Sequence, residues 1–114
     1  MDLGQWGEER VCRYLEERNY RILDRNFRCR GGELDIVAEQ GATLCFIEVK
    51  CRRSLKLGLP AESVSTAKQR KIKHAALFYL KCHPGSESGD LRMDVVEVLR
   101  CKERVYIRHI ENAF

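Results

Sequence analysis

Two apolar-rich segments, Glu33 to Glu39 and Leu44 to Cys51, flank a Gln40-Gly41-Ala42 turn, and this arrangement restricts the chain more than any other feature. Branched and aromatic residues on either side of a glycine-containing turn are the signature of a β-hairpin. In extended chain successive side chains point to opposite faces. Glu48 and Lys50 therefore share a face with Phe46, while Ile47, Val49 and Cys51 face the other way. On the first strand Asp35 is expected to point away from the face carrying Leu34 and Ile36. With a four-residue loop from Gln40 to Thr43, Asp35 lies directly across from Glu48. A two-residue shift would set it across from Phe46 and still leave both carboxylates on one face.

Two carboxylates meeting in the middle of a sheet repel each other, and partial burial raises the cost of ionising both. A divalent cation removes the conflict, because hard oxygen ligands suit Mg2+ or Mn2+, with water and a substrate phosphate completing the shell. A lysine one strand-step away, Lys50, could orient or deprotonate an attacking water, or neutralise charge developing on the phosphate. The plainer reading of Glu48 and Lys50 is a solvated sheet face with a cross-strand ion pair.

The rest of the chain supplies the surroundings. Leu3, Val11, Tyr14 and Leu15 cluster on one side of a helix expected from about Gly4 to Arg18. Glu8 falls at the inward margin of that side, where it could add a third carboxylate, and Glu9 points to solvent. Arg21 to Arg28 reads as a strand with Leu23, Arg25 and Phe27 on one side. Thr66-Ala67-Lys68-Gln69 has capping-box spacing, predicting a helix from Thr66 to about Lys81 with Ile72, Ala75, Ala76, Tyr79 and Leu80 buried. Strands follow at about Leu91 to Arg100 and Arg104 to Ile110. The order is that of an α/β domain with a mixed sheet, and 114 residues suit a single domain over 1–114.

Net charge is only +4, but it is unevenly placed. From Lys50 to Lys73 eight basic residues, among them Arg52, Arg53, Lys68, Arg70 and Lys71, stand against Glu62 alone, a local +7 that leaves −3 for the remainder. An acidic body with one basic region points to a polyanionic partner. The six cysteines show no C-x2-C spacing and follow no basic-then-apolar leader, so they are expected to be reduced thiols of a cytoplasmic protein. The longest apolar run, Ala75 to Leu80, is too short to span a bilayer, so no membrane partner is expected.

A wider set of residues carries a family likeness. It comprises Gly4-x-x-Gly7-Glu8 with Tyr14-Leu15, Arg25-Asn26-Phe27-Arg28, Gly32-Glu33-Leu34-Asp35 and Phe46-Ile47-Glu48-Val49-Lys50-x-Arg52. It continues through Gly58-x-Pro60, Val64 with Lys68, and Arg92-Met93-Asp94. In these the chain resembles the YraN-type bacterial family, whose restriction-endonuclease-like fold, an αβββαβ core, is related to archaeal Holliday-junction resolvases. Val11 and Met93 depart from the family pattern without touching a candidate ligand. The resemblance implies metal ligation by Asp35, Glu48 and Glu8 with the Val49 carbonyl, and a catalytic Lys50. It also implies DNA, branched or single-stranded, as partner, and a homodimer by analogy with the resolvases.

Lys68 sits in the first turn of its helix, where a cation opposes the helix dipole. A phosphate or an active-site carboxylate would explain it, as would a tolerated exposed lysine. Arg52 shares the Glu48 face and is a candidate phosphate contact, with Arg70 and Lys71 further along the tract. Glu33 is either a group supporting Asp35 or a solvated carboxylate beside a turn, and no role falls to His74, His83 or His109. The expectation is a metal-dependent, sequence-independent nuclease; the alternative is a non-catalytic nucleic-acid-binding module of the same fold.

Overall fold

The computed structural model of the chain describes residues 1–52, 64–86 and 89–114. Its elements are α1 (Leu3–Glu17), β1 (Arg21–Cys29), β2 (Gly32–Gln40), β3 (Thr43–Arg52), α2 (Thr66–Cys82), β4 (Asp90–Cys101) and β5 (Arg104–Ile110). The strands form one sheet in the order β1-β2-β3-β4-β5. Only β3 and β4 run parallel, joined by the crossover that contains α2; the other neighbours are antiparallel. This is the αβββαβ core expected from the sequence, with β5 added at one edge.

Each helix covers one face of the sheet. Val11, Cys12 and Leu15 of α1 pack on Ile36, Ala38, Cys45, Ile47, Val96 and Val98. Ile72, Ala75, Ala76 and Tyr79 of α2 pack on Leu34, Val37, Leu44, Phe46 and Val95. Burial on both sides is why the central strands read as near-continuous apolar runs rather than as a strict alternation. Asp2 caps α1 in a reciprocal box with Gln5: its carboxylate accepts the Gln5 N–H at 2.8 Å, and the Gln5 amide oxygen accepts the Asp2 N–H at 3.1 Å. At α2 the cap is Ser65, whose hydroxyl accepts the Lys68 N–H at 3.1 Å, one residue before the Thr66 that the capping-box spacing favours.

Three expectations need correction. The β2–β3 turn has two residues, Gly41 and Ala42, because Gln40 pairs with Thr43; the register is nonetheless the one that sets Asp35 level with Glu48. Leu34 and Ile36 do not share a face: Leu34 packs under α2 and Ile36 under α1. Likewise Arg25 reaches the α1 residue Glu8, whereas Phe27 packs edge-on against Tyr79 of α2. Both departures centre on Asn26, which adopts φ 54° and sits level with Asp35. A left-handed residue turns the strand out of simple alternation, and asparagine tolerates that conformation better than most residues. A register shift between Ile22 and Asp24 adds a second irregularity to β1.

Gly7 brings α1 down onto β3. A Cβ there would lie 1.9 Å from the Cys51 Sγ, so the helix can approach only because that atom is absent. Gly7→Ala is expected to lower stability by about 1–3 kcal/mol through overpacking. Adding Cys51→Ala, which removes the clashing sulfur, should recover most of that loss in a urea-unfolding double-mutant cycle. Equal losses in single and double variants would show that the sulfur contact is not the cause.

Candidate active site

The site lies where the sheet forks. The β2–β3 ladder runs from Gln40–Thr43 to Ile36–Ile47 and ends there among the described residues. Beyond it β2 continues beside β1 to Gly32, while β3 continues beside β4 to Arg52. The fork deprives Val49 of a backbone partner on β2, and the Asp35 carboxylate takes its place, its Oδ2 accepting the Val49 N–H at 2.8 Å. An unpaired buried N–H is costly, so this bond fixes Asp35 in the cleft of the fork.

Glu48, next along β3, is 5% exposed and close enough to Asp35 to feel its negative field. Its Oε1 is 3.7 Å from the Lys50 Nζ and 3.7 Å from the Lys68 Nζ of α2. The face shared by Glu48 and Lys50 is the one expected, and the anion that Lys68 meets is this carboxylate. Burial, and then the negative field of Asp35, push the Glu48 carboxyl up to about 7, with Lys68 and Lys50 pulling the other way. The two lysines do not offset the burial of the pair. Two oxygen donors held together at that cost fit a hard divalent cation.

Glu8 is buried as its place on the helix wheel requires, 9% exposed, but its Oε1 accepts hydrogen bonds from Arg25 Nε at 3.1 Å and Asn26 Nδ2 at 2.9 Å. Glu9 is held at the surface by the same guanidinium, at 2.7 Å. Glu8 and Asp35 both act on Cys51, whose thiol is raised by burial first and then by the fields of Asp35, Glu8 and Asp2. Among the described residues no three His, Cys, Asp or Glu side chains close around one point tightly enough to hold an ion. The structure therefore gathers Asp35, Glu48, Lys50 and Lys68, and engages Glu8 with β1.

Arg52 is on the expected face, but its guanidinium is bound: Nε donates to Glu97 Oε2 at 2.9 Å. Arg108 donates to the other Glu97 oxygen from Nε at 3.1 Å and from its terminal nitrogen at 2.8 Å. Lys68 and Lys71 line a groove of about 370 Å³ with Arg28 and Glu33, and Arg28 pairs with Glu33 at 3.4 Å. Arg70 is exposed, roughly 200° around α2 from Lys68. Arg53, Lys56 and Glu62 lie outside the described residues.

A second polar constellation, unsuspected from the sequence, lies under α1. Asp94 is fully buried and accepts from Arg92 Nε at 2.9 Å, His109 Nε2 at 2.7 Å and the Asn112 N–H at 3.1 Å. The other ring nitrogen of His109, Nδ1, lies 3.2 Å from the Tyr14 hydroxyl. Arg92 also donates to the Tyr20 hydroxyl at 2.6 Å. Burial opposes the charge of Asp94, yet the bonds from His109, Arg92 and Asn112 hold its carboxyl below the usual range. Asp94 and Glu97 had one legible signal: each is a carboxylate set inside the apolar run from Val95 to Leu99 or at its start.

Fold and site together define an α/β domain with an αβββαβ core and a carboxylate pair at a fork in the sheet. The chain belongs to the uncharacterised protein family UPF0102, whose model matches residues 7–98, the YraN-type family that the sequence resembles. It is 48% identical to the UPF0102 protein of Geobacter sulfurreducens over 113 residues, covering 98% of this chain and 88% of that one. It is 44% identical to a UPF0102 protein of Caldicellulosiruptor saccharolyticus over 115 residues, covering 99% and 97%. A Myxococcus xanthus UPF0102 protein is 44% identical over 113 residues, covering 99% and 89%. Among the described residues no helix is long and apolar enough to cross a membrane.

Proposed function

We propose that the chain is a divalent-metal-dependent nuclease that hydrolyses DNA phosphodiester bonds. The observation that carries this reading is the Asp35–Glu48 pair at the fork, attended by Lys50 and Lys68. Asp35 and Glu48 would hold Mg2+ or Mn2+, with Glu8 and the Val49 carbonyl as the further oxygen donors the family resemblance implies. The bound ion would supply Lewis acidity toward a phosphoryl oxygen and a more acidic water.

The remaining work falls to the protein. Asp35 is oriented by the Val49 N–H, so its free oxygen has a defined direction. Lys68 favours the ionised form of Glu48, as does Lys50. Lys50 is half-buried beside that carboxylate, where its ammonium neutralises charge developing on the phosphate. The engagement of Glu8 by Arg25 and Asn26 favours a second reading, a binding module without turnover.

Cleavage of branched, single-stranded and duplex DNA with Mg2+ or Mn2+ separates the two. Wild type is expected to cut at least one substrate, and Lys50→Ala to cut it about 10²–10⁴-fold more slowly. If wild type cuts nothing beyond the Lys50→Ala level, the nuclease reading is lost and the binding module stands. Calorimetric titration with Mn2+ should show saturable binding that disappears in a folded Asp35→Asn variant.

A further inference from the structure

The groove beside Lys68 does not belong to the carboxylate pair itself. It runs between the β1–β2 turn and the first turns of α2, with Arg28, Lys68 and Lys71 supplying cations and Glu33 a carboxylate. Its wall is preformed. The Arg30 carbonyl accepts a hydrogen bond from His74 Nε2 at 3.0 Å, which assigns that ring nitrogen its proton. Gly32 touches α2 so closely that a Cβ would lie 2.4 Å from the Lys71 carbonyl oxygen. The turn is thus clamped onto the helix at two successive helical turns.

We infer that this groove binds the sugar-phosphate backbone of a single nucleic-acid strand, next to the phosphate that reaches Asp35 and Glu48. The inference rests on the nuclease reading only for the second half of that statement. Three features define the ligand class. The cations come from two elements, Arg28 from β1, where it also pairs with Glu33, and Lys68 and Lys71 from α2, so an anionic chain lying in the groove meets positive charge from both. The volume of about 370 Å³ is near the lower end of small-ligand clefts, roughly 300–1,000 Å³, room for a short stretch of one flexible strand's backbone. Among the described residues no aromatic ring lines it, so contacts fall on phosphates and not on bases, and recognition is indifferent to sequence. Lys68 links the groove to the site, since it lines the one and contacts Glu48 of the other.

The test measures fluorescence anisotropy of a labelled oligothymidylate and of a blunt duplex, without divalent ions, across a salt series. Wild type, Arg28→Ala/Lys71→Ala and the distant control Arg13→Ala are compared. Arg28 and Lys71 are both exposed, so folding is not at stake, and a thermal melt verifies it. The groove variant should bind the single strand about tenfold more weakly, with a salt slope shallower by roughly 1.4 for two phosphates no longer neutralised. The control should match wild type. Unchanged affinity and slope in the groove variant overturn the proposal, whether or not DNA is cut. Equal losses on duplex and single strand overturn the single-strand assignment. Weaker single-strand binding by the groove variant, alongside a wild type that cuts nothing, sustains the groove and removes the nuclease reading alone.

Discussion

A Glu48→Gln variant free of divalent ions is expected to melt roughly 10 °C above wild type at pH 8, while losing Mn2+ binding and any DNA cleavage. The buried Glu48 carboxyl titrates near 7 against an ordinary value of 4.5. A raised acid is no burden below pH 4.5, where it is protonated in both folded and unfolded chains. Between 4.5 and 7 the unfolded chain ionises and the folded one resists, so stability falls, and above 7 the full penalty is present. Glutamine carries no such penalty. Allowing for its weaker attraction to Lys50 and Lys68, the gain at pH 8 is about 2 kcal/mol, or some 4–8 °C per kcal/mol for a domain near this size. Paired melts at pH 4.5 and pH 8 check it, since the gap should nearly vanish at the lower pH. A variant that melts below wild type at pH 8 contradicts the assignment. Mn2+ at a hundred times its dissociation constant should raise wild type by about 2.7 kcal/mol and leave the variant unmoved.

Asp94→Ala should be the most damaging single change on the far side of the sheet, costing about 3–5 kcal/mol. It strips Arg92, His109 and the Asn112 N–H of their common acceptor and leaves a largely buried guanidinium with the Tyr20 hydroxyl and the exposed Glu111 carboxylate, 3.7 Å away. Because domains hold only about 5–15 kcal/mol in total, such a loss removes much of the margin. Asp94→Asn, which keeps the shape and one acceptor oxygen, should fall between the two. Urea denaturation reads both; a loss under 1 kcal/mol for Asp94→Ala would mean that the network adds little. Since the constellation lies under α1, and Glu48 meets Lys68 on the α2 side of the sheet, a surviving fraction of folded Asp94→Asn should still bind Mn2+.

The hairpin was legible because its turn and alternation are local. Those same rules placed Glu48 and Lys50 on one face and set Asp35 level with Glu48, though the turn is two residues shorter than expected. They failed at Leu34 and Ile36 because nothing in a run of extended residues announces that Asn26, on another strand, will adopt a left-handed conformation. The helix wheel buried Glu8 correctly but gave no view of Arg25 and Asn26, which approach it from β1. His109 looked isolated for the same reason, its partner Asp94 being fifteen residues away on a neighbouring strand.

Sequence alone was sufficient for the element order, the mixed α/β class, the two amphipathic helices and the candidate chemistry of Asp35, Glu48 and Lys50. These depend on residue type and on periods of two or 3.6 residues, which are properties of neighbours along the chain. Tertiary structure decided the fork that aims Asp35 at the Val49 N–H, the use of Lys68 as a partner for Glu48, and the groove clamped by His74 and Gly32. Each of these joins residues on different elements. Their spacing is set by how closely helices and strands can pack, and that distance is written in no single segment.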